Sequence, residues 1–320
     1  TSTQRDIERM TRQSRGYEFK LGMFISELQL PFEDALQAAS DMGVSYVWCS
    51  AYNDGRRISE LPDAQIDQLV KLVDSHGLQP LFIDSGGLLK QVHLAELESG
   101  KMLEHAQFKE HFDQLTRSME VSARLGIGAV ASSSFAWPAE YTADKPTWPM
   151  RWATRGGIIA DVDMKKLVEA FSMLVEQAER HDVDLAVQMM QWNYTNTTEH
   201  LRSIFEAVGS ARLKAIWCPA DNFNCGEKDV ATNGFTNIRP YLHAVHAKDL
   251  HTTDGSKLKF DYAAIGDGDV DYPALLRNLR DNACDIVVSV ATHFVPPSGS
   301  HVEAMQTNCD NLRQLIAELD

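Results

Sequence analysis

Short apolar runs alternate along the chain with longer stretches in which apolar residues recur every three or four positions. The short runs are rich in Val, Ile, Leu or Ala, which is typical of strands that are covered on both faces. Eight strands are predicted, at 20–24, 44–50, 81–84, 127–132, 183–188, 213–218, 242–248 and 285–291. The longer stretches have the period of amphipathic helices, as in the stripe formed by Phe108, Phe112, Leu115 and Met119.

Glycines mark the ends of several helical stretches. Gly43, Gly77, Gly126 and Gly209 each follow a helical run, where a left-handed C-terminal cap is favoured. The alternation of strands and helices continues without a change in composition, so we predict no linker and no second domain. Eight strands alternating with helices favour a single (β/α)8 TIM barrel, of class α/β, over an open sheet. We place this barrel at residues 18–320, after an N-terminal extension at 1–17.

Composition and charge narrow the class of protein and its partners. With 44% hydrophobic and 23% charged residues the chain is globular rather than disordered. Its net charge of −15 argues against a nucleic-acid partner or an anionic membrane surface. No uninterrupted apolar stretch of about 18 residues occurs, so no membrane span is predicted. Five cysteines without a Cys-x-x-Cys pair predict reduced thiols and a cytoplasmic location.

Two predicted connections are longer than a barrel requires, at 85–105 and 133–162. Long ordered connections are usually binding loops or lids, and barrel sites lie at the carboxyl ends of the strands. The second connection contains Trp137 and Arg151, which we expect to contact a substrate; the alternative is that its aromatic residues pack the loop onto the barrel. Aromatic rings suit the apolar faces of sugar rings. Trp192, shortly after the fifth strand, is a further candidate for such a contact.

Polar side chains occur at the ends of the last four predicted strands. Gln188 ends strand five and Cys218 ends strand six. The period-two alternation of a strand places His246 and Lys248 on one face of strand seven, and His293 lies just beyond strand eight. Because the carboxyl ends of barrel strands surround one cavity, we expect these side chains to converge.

Several motifs occur in the order found in one known family. The run His-Ala-Lys-Asp at 246–249 resembles the His-x-Lys-Asp signature of the xylose isomerase-like barrels, also described as sugar phosphate isomerases/epimerases. Gly-Asp-Gly-Asp-Val-Asp at 266–271 is similar to their Gly-x-Gly-x-(Val/Ile)-Asp stretch. Residues 289–294 resemble their final strand, which usually ends Glu-x-His, and 217–222 resembles Trp-Asp-Pro-Ala-Asn. The resemblance extends from about residue 18 to the C-terminus.

The resemblance implies a site whose chemistry has changed. In that family two Glu, one Asp and one His hold a divalent metal over the sugar, and the two Glu carry protons. A carboxylate base and a metal suit this reaction, since isomerisation or epimerisation removes a proton from a carbon beside a carbonyl. The four matching positions here are Gln188, Cys218, His246 and Ala291. Only His246 keeps the residue type, so the metal-dependent reaction is expected to be lost or altered.

A rebuilt metal site is an open alternative. The amide of Gln188 does not ionise and is not a strong ligand. A Cys218 thiolate together with His246 and either Asp221 or His293 would favour zinc over the cations that prefer oxygen ligands. The cofactor prediction is therefore none, or zinc or manganese if the site is rebuilt.

Two functional hypotheses remain open. The first is a carbohydrate-active enzyme in which His246, Lys248 and His293 carry the chemistry, with Asp221 and His251 as further candidates, because His and Lys serve as acids or bases when their pKa is tuned. The second is a non-catalytic sugar-binding protein or inactive partner subunit, which keeps the cavity but has lost the catalytic atoms. Charge and missing ligands argue against a DNA-repair endonuclease on the same barrel.

Both hypotheses predict a small carbohydrate ligand, and a homodimer remains open. The predicted substrate contacts are Gln188, Trp137, Trp192, Arg151 and Asp249.

Overall fold

A computed structural model describes residues 16–52, 54–138, 157–254 and 259–319. Most of the predicted N-terminal extension (1–15) and the candidate contact Arg151 therefore lie outside the described residues. None of the helices in the described ranges is both long and apolar enough to cross a membrane.

Within the described ranges, nine parallel strands form one sheet, and two further strands form an antiparallel hairpin. In chain order the strands are β1 (Lys20–Phe24), β2 (Tyr46–Trp48), β3 (Gln79–Pro80), β4 (Ile83–Asp84), β5 (Ala129–Ser133), β6 (Asp184–Gln188), β7 (Leu213–Trp217), β8 (Leu242–Ala247), β9 (Asp249–Asp254), β10 (Lys259–Ala263) and β11 (Val287–Val290). The order in the sheet is β3-β2-β1-β11-β8-β7-β6-β5-β4. Because β3 and β4 are consecutive in the chain, the two ends of this order come together. The sheet is a nearly closed barrel, which confirms the predicted fold.

Helices lie between the strands. They are α1 (Phe32–Asp41), α2 (Asp63–Ser75), α3 (Ala106–Leu125), α4 (Asp161–Arg180), α5 (Thr198–Val208), α6 (Pro219–Asn224), α7 (Phe235–Ile238), α8 (Tyr272–Asp281) and α9 (His301–Ala317). The longer helices bury one apolar stripe against the barrel, as α3 does with the fully buried Phe108, Leu115 and Met119. The four glycines at predicted helix ends all have φ between 69° and 72°, which confirms the left-handed caps.

The predicted strands are all present, and the third differs most from its prediction. Instead of one strand at 81–84, β3 pairs with β2 and β4 pairs with β5, with Leu81 and Phe82 between them. The chain changes partner here: the Leu81 N–H still bonds to Val47 O on the β2 side at 2.9 Å, whereas the Ser85 N–H bonds to Ala131 O on the β5 side at 3.2 Å. The β9–β10 hairpin was not predicted, because polar residues interrupt its apolar pattern.

Candidate functional site

A cavity of about 260 Å³ opens at the carboxyl ends of the barrel strands. Its wall includes a residue from the end of each of six strands: Phe24, Trp48, Asp84, Ser133, Gln188 and His246. Residues just beyond the strands complete the wall, among them Glu27, Lys90, Trp192 and His293. Gln188, Trp192, His246 and His293 therefore converge on one cavity, as parallel strands that share a carboxyl end require.

His246 carries a hydrogen-bonding atom in this wall that has no partner among the residues the structure describes. Gln188 Nε2 lies 2.7 Å from His246 Nδ1. An amide NH2 group only donates, so Nδ1 accepts and the ring proton is on Nε2. Burial and the nearby Lys248 ammonium hold the pKa of His246 well below its usual range, so the ring is neutral. Nε2 is buried without a partner among the described residues, and a ligand oxygen can fill that place.

Lys248 and Asp221 form a buried ion pair beside the cavity. Lys248 Nζ lies 3.1 Å from Asp221 Oδ2, and the two side chains are 2% and 1% exposed. The ammonium also lies 5.9 Å from the centre of the Tyr262 ring. Burial by itself lowers the pKa of Lys248, but the charge of Asp221 and other nearby groups outweighs this, and the net pKa is raised. Lys248 is therefore a permanent positive charge and not a proton carrier at neutral pH.

Glu27 is a site residue that sequence reasoning missed. It lies in the 3-10 turn Ile25–Leu28, directly after β1. One carboxyl oxygen accepts the Thr292 N–H, and the other lies 3.7 Å from His293 Nδ1. Burial raises the pKa of Glu27 to about 7, although the Lys248 charge and the Thr292 N–H oppose the rise. Its position just after the first predicted strand was the signal that could have found it.

His293 is the neutral neighbour of Glu27. Burial and the Lys248 charge lower the pKa of His293 to about 3. Its ring also packs on Tyr262, with the ring centres 4.7 Å apart. His293 therefore stays uncharged at neutral pH while the carboxyl beside it titrates.

Asp84 is a second carboxyl that was missed, although it ends a predicted strand. Its side chain is buried at the end of β4, and Oδ1 accepts the Gly86 N–H at 2.8 Å. Burial raises the pKa of Asp84 to about 7, against the Gly86 N–H and the positive charges of Lys90 and Arg57. Asp84 and Lys90 both line the cavity.

The residues at the four positions that the resemblance gives to a metal do not fit one. Burial raises the pKa of the Cys218 thiol well above its usual value, so it stays protonated. Gln188 binds His246, Ala291 has no donor atom, and Asp221 is paired with Lys248. Across the described ranges, no three His, Cys, Asp or Glu side chains come together as ligands. The rebuilt site of Cys218, Asp221 and His246 is therefore not assembled.

Asp249 organises a loop and does not line the cavity. Its carboxylate accepts the backbone N–H groups of four residues at 2.8–3.2 Å: Leu250, Gly266, Gly268 and Val270. A Cβ at position 268 would clash with Asp249 Oδ1, so glycine is needed there. The similarity at 266–271 therefore reflects a loop folded around one carboxylate.

Trp137 and His251 also lie away from the cavity wall. The Trp137 ring packs on Tyr194, with the centres 4.0 Å apart, and its backbone N–H bonds to the carbonyl of Trp192 at 2.9 Å. Trp137 thus holds in place the segment that carries Trp192. His251 is exposed on the β9–β10 hairpin, where Nδ1 lies 2.9 Å from Asp269 Oδ1.

Comparison with known proteins places this barrel in a family. The family model described as xylose isomerase-like TIM barrel matches residues 36–315. The chain belongs to this family. A comparison with curated proteins gave no match.

Solved structures share the fold of this xylose isomerase-like barrel. A xylose isomerase-like TIM barrel protein from Mycobacterium smegmatis, in complex with magnesium, has a TM-score of 0.65 at 12% identity and covers 96% of this chain and 98% of its own. The IOLI protein with a bound zinc atom has a TM-score of 0.68 at 18% identity, covering 94% and 99%. D-psicose 3-epimerase with D-tagatose, from Clostridium cellulolyticum H10, has a TM-score of 0.65 at 14% identity, covering 93% and 99%. At these identities the likeness shows the fold alone.

Proposed function

We propose that this barrel binds a small polyhydroxylated carbohydrate in the cavity at the strand ends and acts on it without the four-ligand metal centre that the family resemblance implies. The observation that carries the proposal is the Nε2–H of His246 in the cavity wall, which has no partner in the part of the chain that the structure describes. A buried donor without a partner costs free energy, and a sugar hydroxyl or carbonyl oxygen would recover it.

The rest of the wall suits a sugar. Phe24 and Trp48 stack with ring centres 4.1 Å apart, and together with Trp192 they offer apolar surface for the C–H faces of a sugar ring. Asp84 and Lys90 offer hydrogen bonds to hydroxyl groups. At about 260 Å³ the cavity is slightly smaller than the roughly 300–1,000 Å³ of small-molecule sites, which favours a single monosaccharide.

Loss of the metal ligands alters the expected chemistry without removing every proton carrier. Gln188 and Ala291 replace the two carboxylates that the resemblance places at these positions, but Glu27 and Asp84 line the same cavity. The epimerase with D-tagatose supports a monosaccharide as the ligand class for this fold.

A non-catalytic sugar-binding protein is the second candidate function. It is favoured by the amide of Gln188 and the methyl group of Ala291, because neither group takes up or releases a proton near neutral pH. The two functions differ in one observable, because a binding protein shows affinity without product.

Isothermal titration with four ketoses tests the binding: D-fructose, D-psicose, D-tagatose and D-sorbose. The H246F variant keeps a ring and loses the donor, so we expect affinity for the bound sugar to fall about tenfold. The H251Q variant, changed on the exposed hairpin, is the matched control and should bind as the unchanged chain does. The proposal is wrong if none of the sugars binds, or if H246F binds as tightly as H251Q.

A further inference from the structure

We propose that Glu27 and Asp84 are a two-carboxyl acid–base pair, which moves a proton off and onto the carbon beside the carbonyl of a bound ketose. This inference rests on the proposed function. It places the proton carriers at the ends of barrel strands one and three, away from positions 188 and 291.

Both carboxyls reach the same cavity from different strands. Glu27 follows β1 and Asp84 ends β4, and both line the wall. Trp48 and Ser50, at and beyond the end of β2, line the same wall. In the barrel β2 lies between the strand that precedes Glu27 and the segment that contains Asp84. The two carboxyls therefore line one cavity, from barrel strands that are separated by β2.

The two carboxyls are separate groups and not a pair that shares one proton. Glu27 is held by the Thr292 N–H and approached by His293, whereas the Gly86 N–H holds Asp84. The 3.7 Å between Glu27 and His293 Nδ1 is too long for a hydrogen bond, so this side chain is not locked in an ion pair. Each carboxyl therefore has its own proton to give or take.

The electrostatic setting suits this role. Burial raises the pKa of each carboxyl to about 7, so both forms of each group are populated near neutral pH. A group that must take a proton and return it works best when its pKa lies near the working pH. Lys248 stays charged and His246 stays neutral under the same conditions.

The chemistry balances without a metal, an oxidant or a reductant. One carboxylate takes the proton from the carbon beside the carbonyl, and the C–H electron pair forms a C=C bond as the carbonyl π electrons move to oxygen. The Nε2–H of His246 donates to that oxygen and stabilises its charge. The other carboxylic acid then gives its proton to the same carbon from the other side, which inverts the configuration. Solvent returns both carboxyls to their starting protonation states.

The test follows hydrogen exchange and inversion in D2O by NMR. Two epimeric pairs serve as probes: D-fructose with D-psicose, and D-tagatose with D-sorbose. In the unchanged chain we expect deuterium to enter carbon 3 from both members of a pair and the two to interconvert. E27Q and D84N should each lower the rate of inversion at least about 100-fold, while sugar affinity changes less than tenfold.

A reciprocal pattern separates catalysis from a structural effect. With one base removed, the remaining base still exchanges the proton of one epimer. E27Q should therefore exchange one member of the pair, and D84N should exchange the other. E110Q, an exposed change on α3, should retain exchange of both.

Each other result overturns the inference. If a sugar binds but the unchanged chain neither exchanges nor inverts it, the acid–base pair is wrong while the binding function stands. If either variant inverts within tenfold of E110Q, that carboxyl is not a proton carrier. If none of the four sugars binds, the proposed function fails and the inference fails with it.

Discussion

Replacing either buried carboxyl with its amide should make the protein more stable at high pH. In the folded chain the pKa of Glu27 is raised from 4.5 to about 7, and that of Asp84 from 3.8 to about 7. Below the unfolded value both states hold the proton. Between the unfolded and the folded value the unfolded chain releases the proton while the folded chain keeps it, so stability falls as pH rises, and the fall levels off once the folded group also ionises above about pH 7. Each carboxyl therefore removes stability between pH 5 and 8, by about 2.5 kcal/mol.

Urea denaturation of the unchanged chain, E27Q and D84N at pH 5, 6, 7 and 8 measures this effect. The difference in the free energy of unfolding between each variant and the unchanged chain should rise by about 2.5 kcal/mol from pH 5 to pH 8, in favour of the variant. Taking this difference removes the contributions of the ionisable groups that the two proteins share. Gln and Asn keep the carbonyl oxygen that accepts the Thr292 or Gly86 N–H. E110Q, at an exposed position on α3, is the control.

A flat difference across this pH range would refute the reasoning. It would mean that the carboxyl is hydrated in the folded state, so that its pKa is not raised. A difference of opposite sign would mean that a positive neighbour dominates, such as Lys248 beside Glu27 or Lys90 beside Asp84. Either result would also weaken the case for this pair as proton carriers near neutral pH.

Three further predictions test the surroundings of the cavity. The unchanged chain should give no stoichiometric manganese binding by calorimetry, whereas a variant with the family's ligands should bind it. That variant carries three changes: Gln188→Glu, Cys218→Asp and Ala291→Glu. K248M should lower the free energy of unfolding by about 3–5 kcal/mol because it leaves Asp221 buried and unpaired, and K248M/D221L should recover most of the loss. D249A should lower it by about 3 kcal/mol or more, since it leaves buried backbone N–H groups without an acceptor, and sugar affinity should change less than stability. Similar stability for the single and double Lys248 variants, or a loss of affinity alone in D249A, would contradict these assignments.

Much of the fold could be predicted because its signals are local. Short β-branched runs, helical periodicity and glycines after helices each depend on a few neighbouring residues, and they define all eight barrel strands. The switch of partner at residues 79–84 could not be predicted, since it depends on which neighbouring strand each backbone group meets. Asp249 shows the same limit: its partners at 266–271 lie on a loop that folds back onto it.

The candidate site was predicted in part for a related reason. His246, Gln188 and His293 follow from strand ends and alternation, and the structure brings them together. Glu27 and Asp84 have no unusual spacing in the sequence. Their raised pKa values come from burial, which only the closed barrel supplies. The replacement of the family's carboxylates at positions 188, 218 and 291 is read from residue type alone, and its consequence for metal binding stays a prediction.

The break between β3 and β4 also gives the barrel a seam, at which each strand segment pairs over only two residues. A barrel opens most readily where the fewest backbone bonds must break, so amide hydrogens at 79–85 should exchange with solvent ahead of those in β5 to β8. Asp84 lies on this seam, and opening would let water reach its carboxyl. Ionisation of Asp84 therefore favours the open form, and exchange at the seam should increase with pH by more than the chemical rate of exchange alone requires.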